Sequence, residues 1–497
     1  MKIHAYEAIT LAAKTRGGSS ASAVRTALSA LLTLSVAACA SVPSSPVPDL
    51  QHQAQALQTR RLDDPGLVAA EARLHLPTSA DVTWTPDRVT VAAWYFDPTL
   101  AQARDTAQRA EADAALAAQR ANPTLQLSPE KAISGLDVAS PWTIGASLLL
   151  PLLHPGESAA RRDIAAAHTE QARDRAALAV WRSRARAVTA LREVLLARRA
   201  QALAQTVAIA QASYLDGVRR RVAAGASSRD AELAAELAAQ GAAADLANRT
   251  AQRIAAEHAL AGAIGVPWSA LNGVPLVWPQ LDAPPPPAAL PTGALAQAAA
   301  WNRLDLAALL AQYRASAARL RLAAGTRYPT TAVAPGYIYD QGQRKFGFGV
   351  DIELPLFHGA GARIRAAAAA CDEAAAAVQA RQAQILNALD AARADYTARY
   401  AAWQRTLDAA AAAHQTAAHA RVQRRAGQMD RGRETIAEVS AAHTDLAAVD
   451  ALGATLNALG QLEDVLQRPL WPASTLAPPS TANPLPSSSL TETAHAH

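Results

Sequence analysis

Cysteine, methionine and phenylalanine are nearly missing from this 497-residue chain, with two, two and four copies respectively. Two cysteines exclude a disulfide scaffold. Aromatic residues at 4% exclude a compact enzyme core built on large rings. The sequence also lacks a Gly-rich phosphate loop, a His-Glu-x-x-His pair and a Cys-x-x-Cys pair, so no catalytic residue, metal or cofactor is expected. Nor does one sign of charge prevail: 47 Lys and Arg stand against 42 Asp and Glu. Arginines dispersed among acids, with few rings to stack on bases, leave no nucleic-acid footprint. What is abundant is alanine, within a composition that is 51% apolar. Alanine favours helix and close helix contact but buries little area per residue, so long, thin helices are expected.

No apolar run is long enough to span a bilayer as a helix. The best, VRTALSALLTLSVAA over 24–38, follows Lys2, Lys14, Arg16 and Arg25 and reads as a signal peptide. It ends in Val36-Ala37-Ala38-Cys39, then Ala40, Ser41 and a Pro/Ser stretch, which resembles a bacterial lipoprotein signal with Cys39 as the lipidated, palmitate-bearing first residue. Ala40 is not the Asp that inner-membrane retention resembles, so the outer membrane is expected. Residues 1–38 hold four Lys or Arg against Glu7, so their removal lowers the net charge from +5 to about +2.

Self-similarity is the strongest signal in the chain. WTIGASLLLPLLHPGESAARRDIAAA from Trp142 matches FGFGVDIELPLFHGAGARIRAAAA from Phe346, an offset of 204 carried by Pro151 and Pro355, Leu152 and Leu356, and His154 and His358. RRVAAGASSRD around Gly225 matches RRAGQMDRGRE around Gly427 at an offset of 202, and Asn122-Pro123 aligns with Tyr328-Pro329 at 206. The chain is an internal duplication whose units read helix, strand, strand, long helix, tight turn, helix.

Strands are expected at about 122–131, 141–150, 329–339 and 346–354. In the last, Phe346, Phe348, Val350, Ile352 and Leu354 alternate with Gly347, Gly349, Asp351 and Glu353. One face is apolar and the other polar, the pattern of a membrane barrel with a wet lumen. Four strands cannot close a barrel, and open edges in lipid leave unpaired backbone groups costing several kcal/mol each. Several chains must share one barrel, and three copies give twelve strands. The helices reinforce this. Residues 158–221 contain no Pro and only Gly217, so one helix would run about 95 Å at 1.5 Å per residue. Helices are also expected over 97–120, 229–264, 295–325, 360–424 and 431–466. Trp181, Ala185 and Val188 correspond to Ile385, Leu389 and Ala392 on a narrow packing seam.

This organisation resembles the TolC family of outer-membrane efflux proteins, over about 97–466. The most specific segments are PLLHPGESAARRDIAAA, PLFHGAGARIRAAAAACDEA and YLDGVRRRVAAGASSRDAELAAELAAQ. The resemblance implies a mainly α fold with a small transmembrane β part, whose duplicated units form, as a trimer, a 12-stranded barrel continued by a long periplasmic α-helical barrel. The expected layout is a signal over 1–38, a lipidated linker and extra segment over 39–96, and a first repeat over 97–265. A Pro-rich equatorial connection over 266–294, a second repeat over 295–466 and a tail over 467–497 follow.

The implied function is a passive exit duct of a tripartite pump, partnered by a periplasmic adaptor and an inner-membrane pump. Hairpin tips at Arg221, Ala224, Gly225 and Ser227, and at Arg425, Gly427 and Gln428, would meet the adaptor. Gly225 and Gly427 equally suit turns that end helices with positive φ. Asp216, Asp230, Asp430 and Glu434, near the closed end, are candidates for an acidic gate. His154 and His358 suit turn stabilisation better than a metal ring, and Cys371 suits packing. The exported substrate is left between drugs and metal cations. The competing reading is a lipid-anchored periplasmic adaptor or scaffold without a pore, which would predict one hairpin and no apolar-faced strand pairs.

Overall fold

A computed structural model describes residues 47–77, 83–133, 140–152, 156–353, 359–471 and 476. The signal segment, Cys39, His154 and His358 lie outside the described residues, as does most of 467–497. The chain divides into two units, and every described residue except 47–55 belongs to the one spanning Ala56–Leu490.

Four helices precede the first strand: α1 (Leu50–Gln58), α2 (Pro65–Arg73), α3 (Pro86–Phe96) and α4 (Pro98–Ala117). Each of the last three starts with proline at its first position, where a missing N–H costs nothing. Asp64 and Asp97 cap two of them, accepting from Gly66 N at 2.8 Å and Thr99 N at 2.9 Å. Residues 50–96, whose fold the sequence left open, are thus largely helical.

Strands β1 (Thr124–Lys131) and β2 (Trp142–Leu152) lead into α5 (Glu157–Ala223) and α6 (Arg229–Ile264). After a connection over 265–292 come α7 (Gly293–Trp301) and α8 (Leu304–Gly325). Strands β3 (Thr331–Asp340) and β4 (Gln343–Ile352) then lead into α9 (Ala360–Arg425) and α10 (Arg431–Leu466). At 67 and 66 residues, α5 and α9 each extend roughly 100 Å. The chain is mostly helical with one small sheet. Among the described residues no helix is long and apolar enough to cross a membrane.

The sheet is antiparallel throughout, in the order β1-β2-β3-β4, so the join between the two repeats is the β2–β3 pairing. Strand β4 begins at Gln343, three residues before its expected start. Gln341 and Gly342 both take positive φ, 47° and 106°, and close a two-residue hairpin turn.

Expected as one helix over 295–325, the return segment is two, broken at Asn302 and Arg303. The break is held by polar groups, not by proline or glycine. The buried Arg303 guanidinium grips Asp305 and donates to the carbonyls of Asp464 and Val465, while Leu304 N donates to Gln467 Oε1 at 2.7 Å. Burial pushes the Asp305 carboxyl up, but hydrogen bonds and charge from Arg303 and Arg381 outweigh it and hold it at about 2.

One large core sits at the equator. Val180, Leu191 and Val194 of α5 pack there with Leu260 and Ile264 of α6, Ile385, Leu389 and Tyr396 of α9, and Leu452, Leu456 and Leu459 of α10. Rings too scarce for a globular core elsewhere are concentrated here, with Trp84, Trp94, Tyr95 and Phe96 coming from the segment before α4. Arg60 donates to Phe96 O at 2.9 Å and Gly265 O at 2.7 Å, tying α3 to the end of α6. Gly265 is required at that junction: its φ is +92°, and a Cβ would meet Phe96 O at 3.0 Å. The segment that follows α10 is fastened to the same core. Glu463, its carboxyl pushed up by burial, accepts from Leu470 N and Trp471 N, and Trp471 stacks on Trp278 with centroids 5.1 Å apart. Beyond the equator the hairpins hold only small clusters, such as Val207 with Val439 and Ala442.

Arg88 and Glu71 form a bidentate pair, both Nε and Nη2 lying 3.0 Å from carboxylate oxygens, with Glu71 fully buried. Arg88→Ala strands that carboxylate and is expected to destabilise the fold by about 3–5 kcal/mol, whereas the apolar pair Arg88→Met with Glu71→Leu costs far less. Thermal unfolding of the detergent-solubilised chain, compared across the three proteins, measures both.

Candidate functional site

Two surfaces carry the functional reading, the sheet and the hairpin tips. In the sheet, the register aligns apolar side chains across all four strands: Leu127 opposes Ala146, which opposes Tyr337, which opposes Phe346. The next rows are Leu150, Val333 and Val350, and then Leu152, Thr331 and Ile352. Phe346 and Phe348 are 79% and 64% exposed, so this apolar face is open among the described residues. The opposite face carries Gln126, Ser128, Glu130, Thr143, Ser147 and Asp340. There Asp340 accepts from Thr143 Oγ1 at 2.9 Å and Lys345 Nζ at 2.7 Å. Strands of 8, 11, 10 and 10 residues have the length of tilted membrane-spanning strands. Edges β1 and β4 pair with no other strand among the described residues.

The helices repeat this open-edged pattern. Toward the strands the packing order is α4, α5, α8, α9, and toward the tips it is α6, α5, α10, α9. At the flanks, α6 exposes Leu233, Leu237 and Ile254, and α9 exposes Leu386, Leu407 and Val422. An open groove of about 1110 Å³ along α5 is lined by Arg175, Arg182, Arg186, Thr189, Glu193 and Asp464, so polar side chains face this space.

Both tips are built alike. Gly225 at φ +73° lets Ala226 N reach Arg221 O at 2.7 Å and Gly225 N reach Val222 O at 3.0 Å. Gly427 at φ +75° does the same, with Gln428 N on Gln423 O at 2.9 Å and Gly427 N on Arg424 O at 3.0 Å. These paired bonds satisfy the last carbonyls of α5 and α9, and only glycine takes the required conformation without strain. Each following helix is then capped. Ser228 Oγ accepts from Ala231 N at 3.2 Å, and Asp430 Oδ1 accepts from Arg433 N at 3.0 Å.

Of the expected tip residues, Ala224, Gly225, Arg425, Gly427 and Gln428 are exposed, and Arg221 and Ser227 are partly so. The serine that caps α6 is Ser228, the neighbour of Ser227. Among the candidate gate acids, Asp216 and Asp230 are exposed with no ion pair among the described residues. Asp430 is a helix cap and also lies 4.0 Å from Arg221 Nη1, linking the two hairpins. Glu434 is buried and paired with Arg424. Sequence reasoning missed these pairs and their companions, Arg219 with Glu232 at 3.6 Å and Arg421 with Glu438 at 2.9 Å. Spacing signals only the first of these companions. Arg219 lies six residues before its turn glycine and Glu232 seven after it, whereas Arg421 and Glu434, at the same spacing in the second hairpin, take Glu438 and Arg424 instead. No cluster of metal-ligating side chains occurs among the described residues.

Residues 95–266 match the family model described as outer membrane efflux protein. No curated relative matches. Among solved structures, a membrane protein from Pseudomonas aeruginosa is similar at 19% identity and a TM-score of 0.64, over 77% of this chain and 92% of that one. The outer membrane protein VceC from Vibrio cholerae is similar at 18% identity and 0.62, over 77% and 96%. The outer-membrane channel OprN is similar at 17% identity and 0.62, over 86% and 97%.

The two faces of the sheet make an asymmetric prediction. Phe348→Arg, on the apolar face, is expected to cost about 2–4 kcal/mol in the membrane-inserted state, and Gln126→Arg, on the polar face, close to nothing. Urea titration of chain refolded into lipid vesicles reads the difference.

Proposed function

We propose, for a chain whose residues 95–266 belong to the outer membrane efflux protein family, that three copies close a 12-stranded barrel across the outer membrane. Their long helices continue it as a periplasmic tube, and the whole is a passive exit duct. The observation that carries this reading is the four-stranded sheet, apolar on one face, polar on the other and unpaired at both edges. In hydrocarbon those edges must be paired, and joining β4 of one copy to β1 of the next does so. The helical flanks close in step, with α9 of one copy covering α4 and α6 of the next and burying the apolar side chains exposed there.

In this reading residues 1–38 are removed and the chain is anchored through Cys39. The tips around Arg221, Ala224, Gly225, Ser227, Arg425, Gly427 and Gln428 receive a periplasmic adaptor, which couples the duct to an inner-membrane pump. The pump selects what passes, small molecules or metal cations, and the duct performs no chemistry. Asp216 and Asp230 remain open to ions at the tube mouth, while Asp430 links the two hairpins through Arg221 and Glu434 pairs with Arg424 inside the second hairpin.

Purified chain in a planar bilayer is expected to show steady ionic conductance, and crosslinking of the same sample to stop at three subunits. A monomer that binds membranes without conducting would return the poreless adaptor or scaffold to first place. The anchor is tested separately. Cells fed labelled palmitate are expected to label the chain, and Cys39→Ser is expected to abolish the label while the barrel keeps the protein in the membrane fraction.

A further inference from the structure

Charge on the apolar face of the sheet is confined to one end. Side chains alternate along each strand, so the face that carries Leu127, Ala146, Tyr337 and Phe346 continues, two residues on, as Pro129, Ile144, Tyr339 and Arg344. Two residues further it ends with Lys131 opposite Trp142, at the end of the sheet remote from α4, α5, α8 and α9. Lys131 and Arg344 are the only charged side chains on this face of the described strands, and both are exposed. The acids of the strands, Glu130, Asp340 and Asp351, all fall on the polar face, where Asp340 is 2.7 Å from Lys345 Nζ. On the apolar face Lys131 Nζ lies over the Trp142 ring, 5.6 Å from its centroid, and neither cation forms an ion pair among the described residues.

Depth decides what these cations meet. From Ile352 to Arg344 the strand runs eight residues, roughly 26 Å along its axis and about 20 Å along the membrane normal at a tilt of about 40°. The apolar band of such a barrel is roughly 25 Å tall, so the long side chains of this row reach its edge, where a cation is tolerated, and not its centre, where it is costly. Trp142 and Tyr339 stand at the same level, and such rings gather where hydrocarbon meets headgroups. Exposed arginines on the helices face water, whereas outward from the sheet at this level there are lipid headgroups. The edge positions matter as well. Lys131 lies on β1 and Arg344 on β4, three strand spacings or roughly 14 Å apart in one copy. Where β4 of one copy joins β1 of the next, the two cations of adjoining copies come to the same seam.

We infer that this seam binds a lipid whose headgroup carries a phosphate monoester, held by Arg344 of one copy and Lys131 of the next. The inference rests on the exit-duct reading for the membrane and the ring of copies, and adds the class of lipid that the ring selects. The guanidinium offers phosphate a planar pair of donors, and the ammonium a compact point charge. A phosphate monoester carries about 1.5 to 2 negative charges near neutrality and so matches two cations, while a zwitterionic headgroup brings no net charge. With every acid of the described strands on the opposite face, no carboxylate of the sheet stands beside such a headgroup.

The test reconstitutes the full-length chain in phosphatidylcholine bilayers containing a trace of spin-labelled phosphatidate or of spin-labelled phosphatidylcholine. Electron spin resonance reads the fraction of each label held at the protein surface. Phosphatidate is expected to associate at least threefold more strongly than phosphatidylcholine. Lys131→Gln with Arg344→Gln is expected to bring the ratio to about one, and Lys131→Arg with Arg344→Lys to preserve it. Lys345→Gln, on the polar face, is expected to leave it unchanged. Equal association of the two lipids with the unaltered chain, a preference that the Gln pair leaves intact, or one that Lys345→Gln abolishes overturns the site. Conductance of the unaltered chain and of each variant is recorded in parallel and reads assembly. A conducting trimer without lipid preference removes the lipid site and leaves the duct, whereas a preference shown by a chain that never conducts removes the duct and leaves the lipid contact.

Discussion

An unpaired strand edge in hydrocarbon is the constraint on which the rest of this architecture turns. Each backbone N–H or C=O left without a partner there costs several kcal/mol, and β1 and β4 present a row of them on either side of a sheet only four strands wide. In the proposed membrane setting the sheet's apolar face leaves no relief by water, and no other element among the described residues pairs with either edge. In the proposed barrel, closure comes from further copies of the same sheet. Once that is granted, the long helices have a matching requirement, because they rise from β2 and β4 and inherit the spacing that a closed ring of strands imposes.

Holding helices of 67 and 66 residues in register demands stiffness along their length, and the equator supplies it. Nearly all the buried rings among the described residues gather there, along with the charged groups whose burial is most demanding: Arg88 with Glu71, Arg303 with Asp305, and Arg192 donating to Leu456 O and Asn457 Oδ1. Away from this belt the packing thins to small clusters, such as Leu446 with Val449 and Val207 with Val439, and to surface ion pairs, each of the latter contributing little singly. The division suits a tube anchored at its waist, with hairpin ends held by few and weak contacts.

Much of the fold is legible in the sequence because the duplication states it twice. Ser228, Gly265 and Asp430 mark helix ends by cap chemistry, and the expected helices over 229–264 and 431–466 coincide with Arg229–Ile264 and Arg431–Leu466. The strands were readable from alternation, since a period of two has no helical counterpart. What escaped reading lacks periodicity. The break at Asn302 and Arg303 is made by contacts from residues more than 150 positions away, and the helices over 50–96 occur once, with no second copy to compare. At the tips the turn glycines were plain, but Asp430 and Glu434 looked like free acids because their arginine partners come from other helices.

The two repeats have diverged in a way that the pairing of helices explains. Helix α10 lies between α5 and α9 and buries Val439, Leu446, Leu452, Leu456, Leu459 and Leu462 along most of its length. Its duplicate α6 has the same 36 residues but sits at the flank of α5, and its buried residues are confined to Ala235 near the tip and to the segment from Glu257 to Ile264 at the equator. Between these, Leu237 and Ile254 are exposed, as is Leu233 beside Ala235. A helix that had drifted to a permanently solvated role would be expected to shed such side chains, since each exposed leucine forgoes roughly 1.5–3 kcal/mol of burial. In the proposed ring their retention is accounted for by α6 packing on a neighbouring copy, and the exposed leucines and valine of α9 at the opposite flank supply a surface of the same character. The inequality between the repeats is therefore a property of the single chain, and a closed ring of copies, in which every flank meets another, removes it.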